Sequence, residues 1–571
     1  MTLSIPVTCN AYDLHMLPGD NADLRKQRGA FFTPYPIADY LARWALAGPG
    51  DERLILDPTS GEGVFLLAAA TRSGGKARLF GVDLHDESLR EADRLLSGAG
   101  STVHKLLKGD FFDEAPPTEL HGRIPFVDAV VGNPPFVRYQ EHRGETRKKA
   151  AAAALRQGVR VSGLASSWAP MLVHAASFLK PEGRLAMVVP AELLSVGYAE
   201  PIRAWLRRRF GSVRLVLFNR LQFSDAEEQV VLLIAEGSGG CNAFTLLEVA
   251  HSEDLESLHP FDANAFVPQE SGKWTDLLVT DRARTLLRTL NTTAFSPLAT
   301  YGRVELGAVT GANKFFMLSE ATRLEYELQP GKHVVKAVPP GSRNVPGLKF
   351  TQAEWENLRL RGERVWMLSP ASDNPTGQGF LRYKQLGEEL DIPDGYKVSL
   401  RGRLWWRPPA QTAPDLFFTY MNHQTPRLVT NDAGVTFVNS LHGVRLHAES
   451  DVLHEALPLL SLSTFSQLSA ELIGRSYGGG ILKLEPREAA SFPVPREGHL
   501  AAAWEELKAD RHTLEEQMRN RQLALVTNRI DLVLLRNTLE LSETDIQELR
   551  SELRRQRARR QGRELLEGDQ R

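Results

Sequence analysis

Between residue 27 and about residue 240, short β-branched runs alternate with amphipathic stretches, and no other feature of the chain limits its fold so tightly. LILD (54–57), ARLFGVDL (77–84), FVDAVVG (126–132), RLAMVVP (184–190), VRLVLFN (213–219) and VVLLIAE (230–236) are strand candidates. Segments between them such as ESLREADRLL and WAPMLVHAASFLK have helical periodicity. This order predicts an α/β fold with a doubly wound sheet. Such sheets bind ligands at the carboxyl ends of their strands, so functional residues are expected just after these runs.

After the first run comes DPTSGEG. Asp57 closes the strand, and Gly61 and Gly63 allow tight backbone geometry beside a ligand, although an ordinary tight turn accounts for the segment equally well. The next run ends on Asp83, about twenty residues beyond Gly63, the distance at which such sheets place an acid on ribose hydroxyls. Together they favour an adenosine-type cofactor. A third strand end, GDFFDE, offers Asp110 to an adenine amino group and Phe111 as a cover for the ring; a polar turn with a core phenylalanine is the alternative. The fourth is GNPPF. Pro134 and Pro135 fix the backbone so that Asn133 and a carbonyl point into the crevice, followed by an exposed ring, Phe136, which a plain loop rarely requires.

In this order, GAFFTP (29–34), DPTSGEG (57–63), GVD (81–83), GDFF (109–112) and NPPF (133–136) resemble the amino-methylating DNA methyltransferases that use S-adenosylmethionine. The resemblance is greatest to the N6-adenine enzymes of restriction–modification systems with the catalytic domain first and a target-recognition domain after it. It implies a Rossmann-like methyltransferase sheet. It also implies that the target base is flipped out of double-stranded DNA. The Asn133 side chain and the Pro134 carbonyl would accept the two protons of the exocyclic amine, favouring a pyramidal nitrogen that can attack. Phe136 would stack on the base, with Phe223 in LQFSDAEEQVV as a second aromatic, or else a core ring before a strand. The resemblance places Phe32, Thr33 and Pro34 at the methionine end of the cofactor, Asp57, Thr59 and Gly61 around its amino acid and sulfonium, Asp83 on the ribose, and Asp110 and Phe111 on the adenine. Pro58-Thr59-Ser60 stands where relatives often have Pro-Ala, so the group that touches the cofactor there stays open.

A cationic stretch follows the NPPF turn, with Arg138, Arg143, Arg147, Lys148, Lys149, Arg156 and Arg160. It reads either as a phosphate-neutralising loop or as a solvated helix face, and its poor hydrophobic content predicts mobility without DNA. From about residue 296, strand-like pieces are separated by Gly/Pro-rich stretches, as in an irregular α+β recognition domain. Lys314 after a glycine turn, Arg401, Arg403, Trp405, Trp406 and Arg407 in RGRLWWRPP, and Tyr477 and Lys483 are the DNA-reading candidates there. The expected organisation is an N-terminal segment 1–26, a methyltransferase domain 27–245, a connecting segment 246–295, a recognition domain 296–496 and a helical region 497–571. That last region reads as a solvated helix, a partner contact or a brace on the recognition domain, with Ser542 and Asp545 forming a helix start.

A chain of 571 residues predicts two to four domains. No apolar run of ~18 residues and no export signal is visible, so the expected compartment is the cytoplasm. The two cysteines, Cys9 and Cys241, exclude a disulfide framework, and no metal site is expected. A monomeric or weakly associating enzyme is expected; a separate restriction endonuclease partner stays open. N4-cytosine methylation, which usually has Ser at the position of Asn133, and a non-catalytic DNA specificity protein are the rival readings. RNA and protein-glutamine methyltransferases also carry NPP turns, but are typically too compact to explain the residues that follow the catalytic domain.

Overall fold

The computed structural model describes residues 33–561 apart from 49, 51, 120–121, 138–143, 164, 219–229, 259–263, 268–271, 410–411, 449 and 478. The chain divides into two units at Trp274/Thr275.

The first unit is built on a sheet of nine described strands: β1 (Leu54–Asp57), β2 (Arg78–Asp83), β3 (His104–Lys108), β4 (Val127–Gly132), β5 (Leu179–Pro190), β6 (Ser212–Phe218), β7 (Val230–Glu236), β8 (Phe244–Val249) and β9 (Asn264–Phe266). Their order is β3-β2-β1-β4-β5-β7-β6-β8-β9. Strands β1 to β5 run parallel, Leu56 pairing with both Phe80 and Val130. β7 is inserted antiparallel between β5 and β6. Helices cover both faces, so the central strands are buried on both sides and read as unbroken apolar runs: Leu185 to Val189 are wholly inaccessible. β3 is different. In HKLLK only Leu107 is buried, as expected of an edge strand whose lysines discourage further pairing, and no apolar run announces it.

Helix α1 (Tyr35–Leu46) has Pro36 in its first turn and buries Ile37, Ala38, Leu41, Ala42 and Ala45, one face of a 3.6-residue period. It is followed by α2 (Val64–Ser73), α3 (Asp86–Gly98), α4 (Gly144–Arg156), α5 (Trp168–Ala175) and α6 (Glu200–Arg209). The strand order reverses between β1 and β4, which opens the ligand crevice of such sheets at their carboxyl ends. Asp57 ends β1 and Asn133 follows β4, so the switch point brings both to one place.

The stretch expected to be a connecting segment, 246–295, is folded. β8 and β9 extend the sheet, and Trp274 packs edge-on against Phe244 at 4.9 Å. The helix Asp281–Thr293 buries Ala283, Leu287 and Leu290 in the second unit's core.

The second unit is irregular α+β. Its largest described sheet has four strands in the order Gly302–Leu306, Leu441–Leu446, Leu416–Thr419, Leu428–Thr430. The C-terminal helices are neither separate nor solvated: Leu500, Leu534, Leu549 and Leu553 share one apolar core with Phe418, Val444 and Phe465. Each leucine so enclosed contributes about 1.5–3 kcal/mol. Asp531, fully buried, accepts from the Thr464 amide (2.9 Å) and hydroxyl (2.7 Å) and from Arg550 (3.0 Å), pinning a π-helical turn to a neighbouring helix start. The helix Glu543–Gln561 begins as anticipated, with the Asp545 amide donating to Ser542 Oγ at 3.1 Å. Among the described residues no helix is long and apolar enough to cross a membrane.

Candidate active site

The crevice at the β1/β4 switch point is assembled from four chain segments. Gly132, the last residue of β4, has φ +152, and a Cβ there would stand 2.8 Å from Asp57 Oδ1. Only glycine therefore lets the turn into Asn133 lie against the Asp57 carboxyl. Thr59 joins the two strand ends: its amide donates to Asp57 Oδ1 (3.1 Å) and its hydroxyl donates to the Asn133 backbone carbonyl (3.4 Å). The Asn133 amide nitrogen donates to Thr33 Oγ1 at 3.2 Å, just ahead of α1. Thr33 is buried, and Pro34 leads into the helix.

Two polar atoms stay unsatisfied. Asn133 Oδ1 and Asp57 Oδ2 are buried, and neither has a hydrogen-bond partner among the described residues. Burial pushes the Asp57 carboxyl up to about 8, the Thr59 amide opposing this and the Asp83 charge adding to it. Buried polar groups are nearly always paired, so a pair of orphaned acceptors in one crevice marks a place for donors from outside the chain.

The DPTSGEG turn forms one wall. Gly63 adopts φ +82 at the start of α2, where a Cβ would press to 3.0 Å on that of Ala92. Asp83 accepts from the Gly61 amide (2.9 Å) and the His85 amide (2.8 Å), fixing the carboxylate at the end of β2. Asp110 accepts from the Phe112 amide at 3.0 Å. Two expectations about rings are corrected. Phe111 is not open to cover an adenine: it is buried between His174 and Phe178, with centroids 4.9 and 5.2 Å away. Phe136 is not an exposed ring either, being only 8% accessible. His174 and Phe178 enclose Phe111, while Phe136 keeps only a small accessible part. Phe32 and Phe223, and the cations Arg138 and Arg143, lie outside the described residues.

Sequence reasoning overlooked Gly132 and Ser167. The glycine was visible in GNPPF; the serine, thirty-four residues past Asn133, carries no local signal.

Within the cationic stretch, residues 144–156 form helix α4, which buries Ala150, Ala153 and Ala154. Its cations have partners within the chain: Arg147 the Gly163 carbonyl, Lys148 the Glu145 carboxylate (2.7 Å), Lys149 the Asp113 carboxylate (2.7 Å) and Arg156 the Glu119 carboxylate (3.8 Å).

In the second unit five DNA-reading candidates are engaged within the fold. Trp405 and Trp406 are 6% and 5% exposed, packed on Phe315 and Phe380, and offer no face to a base. Arg401 donates to the carbonyls of Val309 (2.7 Å), Thr310 (2.6 Å) and Trp405 (3.2 Å), a fold-holding role. Arg407 pairs with Asp373. Lys483 lies between the rings of Tyr420 and Tyr477 and pairs with Glu485 at 2.8 Å. Lys314, Arg403 and Tyr477 are exposed.

A doubly wound sheet with an NPPF turn at its switch point defines a methyltransferase of the Rossmann-like class. Residues 9–208 match the N-6 DNA methylase model, and residues 271–535 match the C-terminal domain of the type II methyltransferase M.Eco57I. The chain carries family domains of the N6-adenine DNA methyltransferases, and its relatives include type II methyltransferases. Type II methyltransferase M.AccI of Acinetobacter calcoaceticus is 21% identical over 81% of this chain and 84% of its own. M.XamI of Xanthomonas campestris pv. amaranthicola is 24% identical over 82% and 85%. Among solved structures, the type IIG restriction endonuclease BpuSI aligns with TM-score 0.43 and 14% identity over 95% of this chain and 67% of that one.

Proposed function

We propose that this chain transfers a methyl group from S-adenosylmethionine to the N6 amine of an adenine flipped out of duplex DNA at a short specific site. The observation that carries the reading is Asn133: its amide nitrogen is held by Thr33, which leaves a buried carbonyl oxygen with no partner among the described residues.

The crevice also fits the cofactor. The orphaned Asp57 Oδ2 would hold its ammonium group, the glycine turn at Gly61 and Gly63 would lie close to it, and Asp83 and Asp110 would take the ribose hydroxyls and the adenine amine. S-adenosylmethionine, when bound, supplies an electrophilic methyl group on a sulfonium. Asn133 Oδ1 and the Pro134 carbonyl accept the two N–H protons of the target amine, withdrawing its lone pair from the ring so that it can attack. A neutral amide stabilises the positive charge that develops on nitrogen without competing as a strong base. The proton leaves after transfer. Phe136 and Phe223 flank the base, whose amine is out of reach while it is stacked in the duplex. The phosphates are gripped by Lys148 and Lys149 of α4, and Lys314, Arg403 and Tyr477 are the exposed candidates for contacting DNA in the second unit.

Mapping modified bases in DNA from cells expressing the chain tests this directly. N6-methyladenine at one recurring sequence is expected; N4-methylcytosine, or no modification in DNA from cells with folded protein, would sink it.

A further inference from the structure

The NPPF turn is held by a residue outside every motif. Ser167 is 5% exposed and stands immediately before α5, where a serine ordinarily caps its own helix. It makes no such cap: its backbone is already helical, at φ −59 and ψ −30. The hydroxyl faces the turn instead. It donates to the Pro135 carbonyl and accepts from the Val137 amide at 2.9 Å, while the Ser167 amide donates to the Val137 carbonyl at 3.0 Å. Three hydrogen bonds from one residue thus bracket Phe136 on both sides.

The anchor is itself anchored. Trp168, fully buried, donates from its indole nitrogen to Tyr198 Oη at 3.2 Å, and Ser166 Oγ lies 3.1 Å from the same oxygen. Tyr198 donates to Glu192, just beyond β5. Ser167 is therefore fixed from the neighbouring strand end and transmits that position to the turn.

We infer that Ser167 is a positioning residue for methyl transfer, its hydroxyl setting the place of the Pro135 carbonyl and Val137 amide so that Asn133 and Phe136 meet an incoming base in register. The inference rests on the proposed methyl transfer. Without the hydroxyl, the Val137 amide and the Pro135 carbonyl lose a shared partner, and the turn gains freedom on the side where the base must enter. Prolines stiffen the turn internally but do not place it relative to the sheet. The effect belongs to the bound geometry and hence to the chemical step, not to the cofactor, whose candidate contacts lie ahead of α1 and at the ends of β1, β2 and β3.

The test is single-turnover transfer of labelled methyl from S-adenosylmethionine to unmethylated bacterial genomic DNA, normalised to cofactor-binding sites counted by equilibrium dialysis. Ser167→Ala is expected to slow transfer by roughly ten- to a hundred-fold, with cofactor affinity changed by less than about twofold. Ser167→Thr, which keeps the hydroxyl, is expected to recover most of the rate. A full-rate Ser167→Ala overturns the inference, as does a loss matched by an equal loss of cofactor binding or one that Ser167→Thr fails to repair. Should Ser167→Ala not fold, Ser167→Cys keeps the volume with a poorer hydrogen-bonding group; an intermediate rate supports the inference and a full rate overturns it. No transfer by the wild-type chain would instead remove the functional reading itself, whereas active wild type with full-rate Ser167→Ala removes only the role of Ser167.

Discussion

The β1/β4 crevice of the first unit leaves two acceptors unpaired, whereas the RGRLWWRPP stretch of the second unit ties most of its candidate groups into the fold. At the β1/β4 crevice Asp57 Oδ2 and Asn133 Oδ1 are buried with no partner among the described residues. In RGRLWWRPP all but Arg403 of the groups that looked available for DNA are engaged: Arg401 on three carbonyls, Trp405 and Trp406 in an aromatic core, Arg407 on Asp373. The same residue types that read as a binding surface serve as well to close a fold short of regular sheets. An unsatisfied buried acceptor has a cost of ~1–3 kcal/mol in the free protein, so it is a sharper marker of function than an accessible cation.

The largest effect expected from this contrast is at Asn133. Asn133→Ala should lower the rate of methyl transfer by roughly a thousand-fold or more, because it removes an acceptor needed only as the amine reacts, and should leave cofactor affinity nearly unchanged. Rate and binding measured on the same preparation check this; equal losses in both would break the contrast. Trp406→Ala should act on folding, destabilising the second unit by about 3–5 kcal/mol in denaturant unfolding. If the variant instead keeps wild-type stability and loses only DNA affinity, Trp406 is a reader after all.

A third effect concerns pH. With Asp57 pushed up to about 8, the folded cofactor-free chain binds a proton at this site that the unfolded chain releases near the ordinary carboxylate range. Its contribution therefore favours folding at low pH and is lost as pH rises through about 8. A cofactor ammonium requires the ionised form, so affinity for S-adenosylmethionine should fall below about pH 8, by at most about tenfold per unit. Asp57→Asn should abolish that dependence along with most of the binding, yet leave the cofactor-free chain no less stable at pH 7.5 to 8.5 (a range set about the group's raised value). Calorimetric titration across pH checks the first, thermal unfolding the second. The smallest effect is at α4. Because Lys148 and Lys149 already have carboxylate partners, their double substitution by Ala should reduce the salt slope of DNA binding by only about 1, short of the two-contact value.

Much of the crevice was legible because its chemistry sits at strand ends, where a buried apolar run stops on an acid, an amide or a glycine. Asp57, Asp83 and Asn133 were found that way, while Thr59 entered only through the family resemblance; their hydrogen bonds join the strand ends. What was not legible lacked such a boundary. The end of β3 was marked by GDFF but its course was not, because an edge strand has lysines where a central strand has valines, and the direction of β7 is set by its neighbours and not by its own residues. Ser167 is identified only by which atoms it faces. The C-terminal helices looked solvated because charged side chains of both signs are mixed among their leucines, although the leucines are the side chains that reach the core.

That interleaving orders events during synthesis. The first unit's contacts can close once residue 274 has emerged. Val279, at the start of the second unit, shares a core with Leu553, and at ribosomal speeds of ~5–20 residues per second the two are separated by tens of seconds. For that interval a growing chain can hold a finished first-unit sheet while the second unit's apolar surface still waits for its last helix, and any chaperone assistance should be concentrated there.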